Sequence, residues 1–145
     1  MTIISLPNEM KYLQILHLED MSFYQSIVAQ SLYNVGFVGE ILTSKSLKEA
    51  ETVIKDTYKK GQKIDLIITD CFLPDGTGLE LTKKIRLNKV LMNIPILMLT
   101  TDTNVSKVIE AFEAGIDNYL FKPIDDKLFL EKLVLVWQKR QKINQ

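Results

Sequence analysis

Four apolar runs in this chain end in side chains that carry charge or a hydroxyl. Leu13 to Leu18 runs into Glu19-Asp20, Ile64 to Thr69 into Asp70, Ile94 to Leu99 into Thr100, and Tyr119 to Phe121 into Lys122. If these ends meet, three carboxylates, a hydroxyl and an ammonium share one small area. Ionised carboxylates repel one another strongly in a cleft unless a cation neutralises them. An all-oxygen donor set favours Mg²⁺ or Ca²⁺ over zinc, and Mg²⁺ keeps waters for a substrate phosphate. Thr100 and Lys122 then look like partners for an anion beside the metal. Such a set is equipped to move a phosphoryl group, chemistry that needs positioning and charge neutralisation more than covalent activation. Asp70 is the natural nucleophile.

The ends meet only if the runs are parallel strands, and the intervening segments support that. Phe23, Tyr24, Ile27, Val28, Leu32 and Val35 follow the first run at helical spacing, with Gly36 as a stop. Phe37 to Leu42 reads as a further strand. Ser46-Leu47-Lys48-Glu49 is a capping box opening a helix with Leu47, Ala50, Ile54 and Tyr58 on one face, closed by Gly61. Leu73 to Gly78 is a turn-forming loop before a helix carrying Leu81 and Ile85. Val105, Val108, Ile109 and Phe112 recur at i, i+3, i+4 and i+7 before Gly115, and a last helix runs from about Asp125 to Arg140. Strand and helix alternate with short connections, which predicts a doubly wound α/β domain: a five-stranded parallel sheet with helices on both faces. Parallel strands bring their C-terminal ends to one edge, where open α/β folds bind ligands.

The 145 residues suit one domain, here divided into an arm (1–11), the domain (12–140) and a short tail (141–145). Eighteen basic and eighteen acidic residues cancel, so no global field draws the chain to nucleic acid or an anionic membrane. The uncharged, mostly apolar stretch Val90 to Thr101 falls well short of the roughly 18 residues of a membrane span. The N-terminus lacks the pattern of a signal peptide, and the single Cys71 suits a reducing compartment, so the expectation is a cytoplasmic protein. Cys71 and His17 read as packed strand residues rather than as a redox sensor or a metal ligand. No Gly-x-Gly-x-x-Gly follows the first strand, which argues against a dinucleotide site.

From about Tyr12 to Gln138 the chain resembles the CheY-like receiver domains of two-component response regulators. The resemblance rests on Glu19-Asp20, Ile67-Ile68-Thr69-Asp70, Leu73-Pro74-Asp75-Gly76-Thr77-Gly78-Leu79-Glu80-Leu81, Leu97-Met98-Leu99-Thr100, and Ala114-Gly115-Ile116-Asp117-Asn118-Tyr119-Leu120-Phe121-Lys122-Pro123, in order. It implies a flavodoxin-like sheet of order 2-1-3-4-5. It further implies that Asp70 accepts phosphate from a histidine kinase or histidine phosphotransfer protein. Mg²⁺, with Mn²⁺ as the alternative, would be held by Asp20, Asp70, Glu19 through water, and the Phe72 backbone carbonyl. Thr100 and Lys122 would bind the phosphoryl group. Tyr119 would follow Thr100 inward and alter the face of the fourth helix, fifth strand and fifth helix, where a downstream protein docks. The Lys122-Pro123 peptide is cis in that family, a state a proline makes accessible.

Three features depart from the family pattern. The spacing from Asp20 to Asp70 is longer than usual, which predicts an enlarged loop over Asp56 to Lys63, and the first acid is Glu rather than the commoner Asp. Phe72 and Asp102 occupy the two positions that, in the family the chain resembles, tune phosphoryl lifetime, and the bulk of Phe72 predicts restricted water attack. The short remainder after the fifth helix predicts a stand-alone receiver that is not an enzyme beyond its own phosphoryl chemistry. The alternatives are a receiver fragment of a longer regulator and a Mg²⁺-dependent aspartyl phosphatase; the latter needs an acid where Phe72 stands. The apolar richness from Leu128 to Trp137 exceeds one buried stripe and leaves room for a phosphorylation-dependent homodimer.

Overall fold

The computed structural model describes residues 4–144. Five strands form one parallel sheet: β1 (Gln14–Leu18), β2 (Glu40–Ser44), β3 (Leu66–Asp70), β6 (Ile96–Thr100) and β7 (Asn118–Phe121), in the order β2-β1-β3-β6-β7. This is the expected doubly wound architecture and strand order. Two-residue strands β4 (Phe72–Leu73) and β5 (Gly76–Thr77) pair antiparallel in a hairpin after β3. The helices are α1 (Ser22–Asn34), α2 (Leu47–Lys59), α3 (Gly78–Leu87), α4 (Val105–Ala114) and α5 (Asp126–Ile143).

The strands read as unbroken apolar runs because both sheet faces are buried. Ile15, Leu66, Ile68, Leu97, Leu99 and Leu120 pack with Val28 and Leu32 of α1 and Phe129 and Leu133 of α5. Their neighbours Leu16, Leu18, Ile67, Ile96 and Met98 pack on the other face with Ala50, Ile54, Leu81, Ile85 and Ala111 of α2, α3 and α4. Ser46 caps α2 by accepting the Glu49 N–H, as the capping box predicts. Thr77, Asn104 and Asp125 cap α3, α4 and α5 in the same manner.

Several boundaries differ from expectation. Phe37 is buried in the connection before β2 rather than in the strand, which starts at Glu40. The polar edge residues Glu40, Thr43 and Ser44 conceal β2, while Phe37 and Val38 advertise a strand too early. Helix α2 continues to Lys59, so half of the expected loop over 56–63 is helical. The turn over 73–78 contains the β4-β5 hairpin. Residues 4–11 do not hang free: Leu6 and Met10 are buried in the core, and the Leu6 N–H donates to the Val35 carbonyl at 2.8 Å. Helix α5 extends three residues past Arg140 to Ile143, while residues 1–3 and 145 lie outside the described residues. The apolar stripe of α4 does not face the core: Val105 is 71% exposed and Ile109 52%, while Ala111 and Ala114 make the buried face. In α5, Phe129, Leu130, Leu133, Val134 and Val136 are buried, leaving Leu128 and Leu135 exposed. No helix among the described residues is long and apolar enough to cross a membrane.

Candidate functional site

Strand β1 sits between β2 and β3, so the chain reverses its direction of sheet growth between β1 and β3. The crevice at the carboxyl ends of these two strands is the expected ligand position in such a sheet. The register pairs Leu18 with Thr69, which brings Glu19 and Asp70 level. Glu19, Asp20 and Asp70 each offer a carboxylate oxygen, and all three oxygens lie within 4.8 Å of one another. Lys122, just after β7, reaches across to this group. Its Nζ donates to Glu19 Oε1 at 2.5 Å and to Asp70 Oδ2 at 3.1 Å.

Alternation along the strands sorts the site residues onto two sides. Glu19, Asp70 and Lys122 share the parity of Ile15, Ile68 and Leu120, which pack toward α1 and α5. Thr100 shares the parity of Ile96 and Met98, which pack toward α4. There Thr100 and Tyr119 line one small cavity with Cys71, Asp102, Lys107, Val108 and Ala111. The sheet edge separates the carboxylate group from the hydroxyl and aromatic.

Backbone groups fix the acids. The Cys71 N–H donates to Asp70 Oδ1 at 2.7 Å, and the Met21 N–H donates to Glu19 Oε2 at 3.2 Å. The Gln25 amide donates to the Glu19 carbonyl at 2.7 Å, tying the first turn of α1 to the end of β1. Burial raises the Glu19 carboxyl above its ordinary range, opposed by hydrogen bonds from Lys122 and Met21 and by the Lys122 charge. Burial alone would lower Lys122, but the Glu19 hydrogen bond and the charges of Asp70 and Glu19 outweigh it and raise its pKa, so the ammonium persists. Three clustered carboxylates with one cation among them form a donor set suited to a hard divalent ion.

The remaining expected residues fall around this centre. The Thr100 hydroxyl accepts the Asp102 N–H at 3.0 Å, leaving its own proton free to donate. Tyr119 packs edge-on against Phe112 of α4 and against Phe121, with the Lys132 ammonium over its ring. Phe72 is 53% exposed at the start of the hairpin, and the Lys122-Pro123 peptide is cis. Cys71 is buried, with its thiol pushed up by burial and by the charge of Asp70. His17 is buried within β1 with Nδ1 unpartnered, and burial and the Lys122 charge lower its pKa to about 3.

Sequence reasoning missed three participants. Tyr24 of α1 lies over the Lys122 ammonium, 4.1 Å from Nζ to the ring centroid. Asp75, at the hairpin tip, accepts the Leu47 and Lys48 N–H groups and so joins the acceptor loop to α2. Gly78 allows the α3 start to approach Asp70: a Cβ there would lie 2.4 Å from the Asp70 carbonyl oxygen. The glycine was visible in the turn sequence, but its close approach was not.

This fold and edge define a class of small α/β signalling domain, and comparison with known proteins agrees. The model of the response regulator receiver domain matches residues 15–134. The chain therefore belongs to the response regulator receiver domain family. It is 33% identical over 121 residues to a chemotaxis protein CheY homolog of Campylobacter jejuni, covering 83% of this chain and 89% of that one. It is 32% identical over 126 residues to CheY1 of Helicobacter pylori, covering 86% and 96%. The solved structure of the chemotaxis response regulator CheY4 of Vibrio cholerae superposes with a TM-score of 0.72 at 29% identity, covering 86% of this chain and 98% of that one. The Mn²⁺-bound form of response regulator Rcp1 gives a TM-score of 0.70 at 26% identity, covering 87% and 90%.

Proposed function

We propose that Asp70 accepts a phosphoryl group from the phosphohistidine of a histidine kinase or histidine phosphotransfer protein and passes the change to a protein-docking surface. The observation that carries this reading is the Lys122 ammonium held between Asp70 and Glu19 within the carboxylate cluster. An Asp70 oxygen attacks phosphorus, the P–N bond to the imidazole breaks, and an acyl phosphate forms while the imidazole nitrogen keeps the bonding pair. The Cys71 N–H and Lys122 hold the Asp70 carboxylate in one orientation for that attack. Lys122 can follow the new charge onto a phosphoryl oxygen, and Thr100 has a free proton to donate to another. Asp20, Glu19, Asp70 and the Phe72 carbonyl would hold Mg²⁺, with Mn²⁺ as a substitute, and the bound ion would neutralise charge on the transferring group. Phe72 at the rim limits water access to the acyl phosphate.

Turning Thr100 toward the phosphoryl group empties part of the cavity it shares with Tyr119, and the ring can then move in beneath α4. Val105, Ile109 and Phe112 form the exposed apolar face next to that ring, which gives a partner protein, or a second phosphorylated copy, something to read. Phosphorylation then shifts the population between two packings of this surface.

The test is intact mass after incubation with Mg²⁺ and acetyl phosphate. One phosphoryl adduct, lost in Asp70→Asn and on chelation, is the expected result. An adduct that survives in Asp70→Asn would place the acceptor elsewhere and overturn the assignment.

A further inference from the structure

Among the described residues the Lys122 ammonium makes direct contact with Glu19, Asp70 and Tyr24, and Tyr24 is the one of the three without a charge. Two N–H groups serve Glu19 and Asp70, and the Tyr24 ring faces Nζ at 4.1 Å, well inside the range of an attractive cation–π contact. The Lys122 side chain is only 4% exposed, so little water competes for its charge. The ring is held from both ends of α1. Gln25 ties the first turn to the Glu19 carbonyl, while Ser31 and Asn34 donate to the Asp126 carboxylate in the first turn of α5, just past Lys122-Pro123.

The carboxylates that hold Lys122 also make up the cation donor set and the phosphoryl acceptor. Lys122 therefore has to share or surrender both of them during the chemistry. The aromatic face binds neither a hard cation nor a phosphoryl group, so it is the contact Lys122 can keep throughout.

We propose that Tyr24 is a positioning residue that keeps the Lys122 ammonium at the carboxylate edge while its ionic partners change. This rests on the phosphoryl-transfer reading above. The ring carries the role, and the phenol hydroxyl does not.

The test uses the whole chain with Tyr24→Leu and Tyr24→Phe. In metal-free protein, the ring current should shift the Lys122 ε-methylene NMR resonances upfield, a shift kept by Tyr24→Phe and lost in Tyr24→Leu. With Mg²⁺ and acetyl phosphate, Tyr24→Leu should phosphorylate about tenfold more slowly, a change of the size expected for a desolvated cation–π contact, and Tyr24→Phe should restore the rate. A wild-type rate in Tyr24→Leu, or a Tyr24→Phe variant as slow as Tyr24→Leu, would overturn the proposal. If the parent protein itself forms no adduct, the phosphoryl-transfer reading fails instead, and the metal-free shift still reports on the ring contact.

Discussion

Lys122 lies closer to Glu19 than to Asp70, 2.5 Å against 3.1 Å. The lysine thus rests on a carboxylate of the candidate cation donor set and would compete with a metal ion for that group. Lys122→Met should tighten Mg²⁺ binding about tenfold, the order expected from removing one unit charge a few ångströms away in a well-screened cleft, while slowing phosphorylation. Titration of Mg²⁺ by calorimetry measures the first effect. Weaker Mg²⁺ binding in the variant would show that Lys122 organises the carboxylates rather than competing for them.

Phe72 stands at the rim of the Asp70 crevice with half its surface open to water. Replacing it by a side chain that can hold a water should admit the nucleophile for hydrolysis. Phe72→Asn is expected to shorten the phosphorylated lifetime several-fold, read by the decay of the acyl phosphate after acetyl phosphate is removed. An unchanged decay would place the barrier to water elsewhere.

His17 sets an acid limit on stability. Its pKa falls from the ordinary 6.5 to about 3 on folding because the imidazole is buried and lies near Lys122. Between those values the unfolded chain binds a proton that the folded chain refuses, so this contribution to stability is complete above pH 6.5 and declines as pH falls. From pH 6.5 to 5.0 the loss is about 1.6 kcal/mol, the slope approaching 1.36 kcal/mol per pH unit only below pH 6.5. Denaturant unfolding of His17→Leu across this range should lack that slope. An identical slope in the variant would assign the acid sensitivity to the carboxylates.

Gly78 is where the start of α3 meets the carbonyl of Asp70, a backbone atom that cannot swing aside. Gly78→Ala should cost about 1–3 kcal/mol, as overpacking does in a tight interior, and should weaken Mg²⁺ binding by shifting the Asp70 loop. Unfolding midpoints with and without Mg²⁺ separate the two effects. A variant as stable as the parent would mean that the helix start yields freely.

The fold was legible where pattern and burial coincide. The apolar runs ending at Leu18, Thr69, Leu99 and Phe121 became the four inner and edge strands that carry the charged groups, and Ser46 with Glu49 located the start of α2. Strand β2 was misplaced because its signal is that of an exposed edge. The stripe on α4 has the periodicity of a core-facing helix, yet its face is open, because periodicity fixes which residues share a side but not what covers that side. Glu19, Asp70 and Lys122 could be grouped from strand ends alone. Tyr24 could not, because its approach to Lys122 depends on how α1 lies across the sheet, and nothing in local sequence records that angle.

At the opposite end of the sheet, Asp117 takes the Ile96 N–H and the Arg86 guanidinium on one oxygen and the Arg140 guanidinium on the other. Arg86 also donates to the carbonyls of Gly115, Met92 and Ile94. One buried carboxylate thereby rivets α3, the start of β6, the turn into β7 and the end of α5 together. The clamp reaches α4 only through the Gly115 carbonyl at its C-terminal end, so the rearrangement proposed at the phosphoryl edge would tilt α4 about that end without loosening the frame that carries it.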